Sequence, residues 1–182
     1  MKGFKVVTWY MRPIFNDSYT YEAGKLFTED VTPRAGLRGF HFTTELWRVY
    51  TTVSEHCWGR VFRITAKGAV DESMDIYSTN GILFGSEMQP EEIILQMLED
   101  YRQLPAIDPN QCRSAVRVYL RGLWRSANAT DDAIGKNLRY GVRIGKDTHD
   151  WRRQWKDAFL KLSENNELLQ RTVKGPLGEW TP

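Results

Sequence analysis

The sequence predicts an α+β protein, a small twisted, mostly antiparallel sheet with a helical C-terminal half packed against it. Three observations predict it. Up to about residue 87, β-branched and aromatic residues gather in short runs cut by turn residues. From Gln89 the apolar residues recur at helical spacing instead. Charge changes along with period: residues 1–90 carry ten acidic and ten basic side chains, whereas residues 101–161 carry six acidic against thirteen basic.

Residues 5–10 include Val6, Val7, Thr8, Trp9 and Tyr10, types that suit a half-buried strand, and Pro13 closes the run. Residues 18–21 predict a second strand before a turn at Ala23-Gly24. The glycines of Pro33-Arg34-Ala35-Gly36-Leu37-Arg38-Gly39 accept backbone angles that other residues avoid, so this run reads as a flexible connection into Phe40-His41-Phe42. Thr43 or Thr44 caps a short helix holding Leu46, Trp47 and Tyr50, because a hydroxyl oxygen accepts a free first-turn amide. Arg60–Ala66 is the clearest strand. Phe62, Ile64 and Ala66 alternate there with Arg63 and Thr65. Residues 74–77 and 82–84 are shorter strands, and Asn80-Gly81 predicts a turn joining them.

The helical half begins at Pro90, a residue suited to a first helical position. Glu91 and Glu92 follow at the positive end, and Ile93, Ile94, Met97, Leu98 and Tyr101 fall on one face. Pro105 and Pro109 bracket a loop. A second helix runs from Asn110 to Ala127, and a third from His149 to Gln170 with Trp151, Trp155, Ala158, Phe159, Leu162 and Leu169 as its apolar face. Gly135, Gly141 and Gly145 break the stretch between them, and Pro176, Gly178 and Pro182 mark a tail. The expected organisation is a sheet-rich region over 1–88 and a helical basic region over 89–182. No Ser/Gly-rich linker divides them, which favours one structural unit.

Composition excludes more than it assigns. A net charge of +2 is too small to argue nucleic-acid binding from the total and rules out an acidic mimic of DNA. Cys57 and Cys112 form neither a metal-ligand spacing nor a disulfide framework and read as buried thiols. The start MKGFKVVTWY lacks the apolar run of about 7–15 residues of a signal peptide. No segment has the roughly 18 consecutive apolar residues of a membrane span, so a cytoplasmic product without a membrane partner is expected.

The most informative local pattern is Arg113, Arg117, Arg121 and Arg125, four residues apart, interleaved with Val116, Tyr119, Leu120, Leu123 and Trp124. On a helix this makes a guanidinium stripe beside an apolar one. Such a surface suits a carboxylate, which arginine grips through two parallel hydrogen bonds, with Trp124 as an adjacent apolar anchor; it also suits phosphates. Lys136, Arg139, Arg143 and Lys146 are placed to enlarge the basic area.

The chemical motifs are sparse. His41, His56 and His149 define no metal spacing, so no metal site is expected. His41 stands out because it follows Gly39-Phe40 and sits between two aromatics. Gly141, Gly145 and Lys146 do not complete a phosphate-binding loop, Gly36 and Gly39 form no dinucleotide fingerprint, and no nucleophile elbow is present. Asp71, Glu72 and Asp75 cluster near a strand, and Glu87 follows Phe84-Gly85 as a weak candidate catalytic acid.

Lys2-Gly3-Phe4, Tyr21-Glu22-Ala23-Gly24-Lys25, Gly39-Phe40-His41-Phe42 and residues 61–68 resemble a group of small, uncharacterised bacteriophage proteins. In that group a K-G-F-like strand is followed by E-x-G-K and a G-F-H element, then a strand ending in glycine. The resemblance covers residues 1–87 and implies a phage accessory protein acting in the host cytoplasm. Combined with the arginine stripe, it leads to a protein that binds and inhibits or redirects a host protein, countering host defence. Direct nucleic-acid binding is a further alternative.

Gly39, Phe40, Phe42 and Tyr50 also bear a distant resemblance to the ADP-ribosyltransferase fold, which binds NAD on a small split sheet. That resemblance implies NAD as cofactor and an acid such as Glu87 orienting the nicotinamide ribose. The chain departs from it at Lys2-Gly3-Phe4, which lacks the first-strand His or Arg expected to grip the cofactor.

Overall fold

The computed structural model describes residues 1–13, 19–49, 59–73, 76–104, 109–131 and 146–175. Among them the protein is α+β, with a β-rich unit within residues 1–88 and a helical unit within 89–182.

Seven described strands form two antiparallel sheets. The first holds β1 (Lys2–Val7), β2 (Leu26–Thr28), β4 (Arg60–Ala66) and β7 (Gly81–Glu87) in the order β1-β4-β7-β2. The second holds β3 (Phe40–Phe42), β5 (Val70–Ser73) and β6 (Ile76–Thr79) in the order β3-β6-β5. Alternation on β4 buries Phe62, Ile64 and Ala66 against Ile82 and Phe84 of β7. Tyr21 stacks on Phe84 at 4.4 Å between centroids, and Phe27 and Phe62 pack edge-on or tilted around the same ring.

Several expectations are corrected. β1 starts earlier and stops at Val7, because the chain turns there: Met11 donates to the Thr8 carbonyl at 3.0 Å and holds a left-handed φ of 61°. Residues 19–21 form no strand; the rings of Tyr19 and Tyr21 go into the aromatic cluster, and the edge strand is β2. Asn80-Gly81 is not a hairpin turn. β6 and β7 pair with different partners, and the chain passes at Asn80 from one sheet into the other.

The sheets also meet at β1, where Phe4 and Thr43 exchange backbone hydrogen bonds of 2.7 and 3.0 Å. A side chain at Gly3 would strike the Thr43 carbonyl oxygen, so this approach needs glycine. The short helix α1 spans Leu46–Val49. Its expected cap differs: the Thr43 hydroxyl donates to the Glu45 carbonyl at 2.9 Å. Tyr50, His56 and Cys57 lie outside the described residues.

The helical unit contains α2 (Pro90–Gln103), α3 (Pro109–Ala127), α4 (Lys146–Ser163) and α5 (Glu167–Lys174). The Gln89 amide donates to the Glu92 carboxylate at 2.8 Å, which stops α2 from fraying at its start. Val116, Leu120, Leu123 and Trp124 of α3 are buried, as are Trp155, Ala158 and Phe159 of α4, and α4 packs on α2, α3 and α5. Lys161 reaches Glu91 at 2.8 Å across the α4–α2 contact. The helix expected over 149–170 is two helices, because Asn166 leaves helical geometry and its side chain accepts the Leu169 amide at 3.1 Å. No helix among the described residues is long and apolar enough to cross a membrane.

Candidate functional site

The β-rich unit encloses a cleft of about 410 Å³ along β1 and β3, a volume typical of small-molecule sites. Its walls are largely aromatic and aliphatic, with Phe4, Phe40 and Phe42 among them, and its polar groups are Lys5, Tyr19, Tyr21, Glu29, His41 and Thr43. Strand geometry places Lys5 in the middle of β1 and His41 in the middle of β3.

The electrostatics of this cleft are unusual for so short a list of residues. Lys5 Nζ donates to the His41 carbonyl at 2.7 Å and sits 5.6 Å from the centre of the Tyr21 ring. Burial lowers the Lys5 ammonium to about 8, with the Glu29 carboxylate pulling the other way. Glu29 Oε1 accepts the Tyr19 hydroxyl at 2.6 Å, and that bond raises the Tyr19 phenol. Burial, helped by Glu29 and Tyr19, raises the Tyr21 phenol well above its ordinary range. His41 is pushed down by burial and by Lys5, while a hydrogen bond to the Arg34 backbone and the Glu29 charge oppose the drop. Its Nε2 is sealed from water and has no hydrogen-bond partner.

Gly39 shapes the cleft wall. It holds φ +89°, and a Cβ there would lie 2.6 Å from Ser78 Oγ and 2.8 Å from the Thr79 carbonyl oxygen. Ser78 Oγ in turn donates to the Arg38 carbonyl.

The sequence-derived candidates divide. Gly39, Phe40, His41 and Phe42 line the cleft. Tyr50 lies outside the described residues. Glu87 does not line the cleft; it is gripped by Arg60 through two bonds of 2.8 and 2.5 Å, which raises the guanidinium's affinity for its proton. The carboxylate in the cleft is Glu29. Sequence reasoning missed Lys5, Tyr19 and Glu29, because what marks them is their convergence from β1, from the segment before β2 and from just after β2.

The arginine stripe is less open than its spacing suggests. Arg121 is only 8% exposed and Trp124 9%, with Trp124 packed on Phe159 at 5.5 Å. A step of four residues drifts around an α-helix, so the row crosses from flank into packed face. Burial and the charge of Arg125 lower the Arg121 guanidinium. Arg113 and Arg117 lie 5.4 and 5.8 Å from the centre of the Tyr101 ring, and Arg117 also donates to the Tyr101 hydroxyl at 3.0 Å. The Nε groups of Arg113, Arg117 and Arg125 are shielded from water without an acceptor. Among the described residues none of these three has a carboxylate partner.

Elsewhere in the helical unit, Asp131 joins Arg152 at 2.7 Å and His149 at 3.4 Å. Lys136, Arg139, Arg143 and the side chain of Lys146 fall outside the described set, as does the Cys112 side chain. Among the described residues no cluster of three or more His, Cys, Asp or Glu has the arrangement to hold a metal ion. No protein-family model, curated protein or solved structure matches this chain.

Proposed function

We propose that this chain is a phage accessory protein that acts in the host cytoplasm by binding an acidic surface of a host protein and blocking or redirecting it. The observation that carries the reading is on α3: Arg113, Arg117 and Arg125 are partly exposed, and among the described residues none has a carboxylate partner. Partner carboxylates would supply the countercharge and satisfy whatever donors they reach. Tyr101 holds Arg113 and Arg117 in place beforehand, so less side-chain freedom is lost on binding. An ordinary interface of about 1,600 Å² works by steric block and requires no turnover.

The test compares the wild type with an Arg113→Ala/Arg117→Ala/Arg125→Ala variant of unchanged helicity. The wild type should retain one discrete protein from infected-host lysate, and the purified pair should bind with an affinity that weakens with salt; the variant should lose both. Equal retention by the two proteins defeats the proposal. Retention of DNA or RNA instead, with a steep salt slope, moves the assignment to nucleic-acid binding.

The alternative of an NAD-dependent transferase draws support from the cleft beside Gly39, Phe40 and Phe42. It receives less from Glu87, whose oxygens are engaged by Arg60. NAD hydrolysis that falls in Glu29→Gln but not in Glu87→Gln would favour a transferase built on the cleft.

A further inference from the structure

The cleft of the β-rich unit is lined by a donor and an acceptor that each keep unused capacity. Lys5 Nζ has three N–H bonds and uses one on the His41 carbonyl. Glu29 has two carboxylate oxygens and uses Oε1 on the Tyr19 hydroxyl. Both groups line the same cleft, where the Glu29 carboxylate acts on the Lys5 ammonium. Around them stand flat apolar surfaces, with Tyr19 and Phe40 at 5.5 Å and Tyr21 stacked alongside Tyr19 at 6.2 Å.

These demands select among ligands. A simple carboxylate satisfies Lys5 but is repelled by Glu29, and a simple amine does the reverse. A neutral group presenting an acceptor and a donor side by side answers both without bringing a full charge into an apolar cleft. A flat ring carrying that edge also fits the aromatic walls. We propose that the cleft is a binding site for a planar lactam heterocycle of the uracil or guanine type, its ring carbonyl accepting from Lys5 and its adjacent ring N–H donating to Glu29. The volume of about 410 Å³ has room for a base with its sugar. This site is built by the β-rich unit and shares no residue with the α3 proposal, so each proposal can fail without the other.

The experiment is calorimetric titration of the full chain with uridine and guanosine, against N3-methyluridine and N1-methylguanosine. Methylation removes the single N–H meant for Glu29 and leaves ring, sugar and carbonyls in place. Saturable one-to-one binding of either nucleoside is expected, weakened at least about tenfold by its methylation. Glu29→Gln should weaken the parent nucleoside by a similar factor and shrink the penalty of methylation. Should Glu29→Gln fail to fold, the methylated ligands still decide the question on the wild type. Absence of saturable binding by both nucleosides, or equal binding of parent and methylated forms, overturns the assignment. So does tighter binding of NAD, whose heterocycles carry no ring N–H beside a carbonyl, or of a free aromatic amino acid.

Discussion

Gly39 does two jobs that no other residue can do together. It accepts a left-handed φ, and it leaves room for Ser78 and Thr79 where a methyl group would collide. Gly39→Ala should lower the unfolding free energy by on the order of 2 kcal/mol, measured by urea denaturation, and should widen or close the cleft beside Phe40. Gly24→Ala is the control: Gly24 has a similar φ of +81° but nothing within reach of an added Cβ, so its cost should be the smaller. At this scale the sequence was partly legible. Gly39-Phe40-His41 stands out by its residue types, a glycine before a histidine set between aromatics, and these residues line the cleft. Lys5 and Glu29 gave no local signal, since one lysine in a strand and one acid near a turn are ordinary until distant segments bring them together. Arg121 and Trp124 mislead in the opposite direction: their spacing is helical, but which flank faces the core depends on the neighbouring helices.

Elements were legible where burial is one-sided and periodic. Arg60–Ala66 announces itself by alternation, and α2 and α3 by helical spacing after a proline. The short edge strands β2 and β5 did not, because Leu26, Thr28, Val70, Glu72 and Ser73 are exposed and carry no buried stripe. The division of the last helical stretch turned on one cap. Asn166 gives its side-chain oxygen to the Leu169 amide, and Leu169 is fully buried. Asn166→Ala should cost about 1 kcal/mol, and Asn166→Asp should recover most of it, as read from thermal melts followed by far-ultraviolet circular dichroism. Equal melting of wild type and Asn166→Ala would mean that α5 is held by packing alone.

For the whole molecule, Lys5 makes stability depend on pH in a window set by its shift. The unfolded chain keeps the lysine protonated up to about 10.5, whereas the folded chain releases the proton near 8. Between those values the unfolded state binds more protons, so stability attributable to this group rises with pH. Below 8 the folded protein carries a buried ammonium at a cost of roughly 3 kcal/mol. Lys5→Met removes the titration and keeps the length of the side chain. The difference in stability between wild type and variant, measured in urea at pH 7.5 and pH 10, should move in favour of the wild type at the higher pH. A constant difference would show that the amine titrates as it does in water.

The passage at Asn80 has one more physical effect. Because β6 runs on into β7, a single stretch of chain serves as the middle strand of the three-stranded sheet and as an inner strand of the four-stranded one. Neither sheet can come apart without disturbing the same dozen residues. In heavy water, deuterium should therefore enter last around Ile82 and Phe84, flanked on both sides by paired neighbours, while the margins at β2 and β5 exchange first.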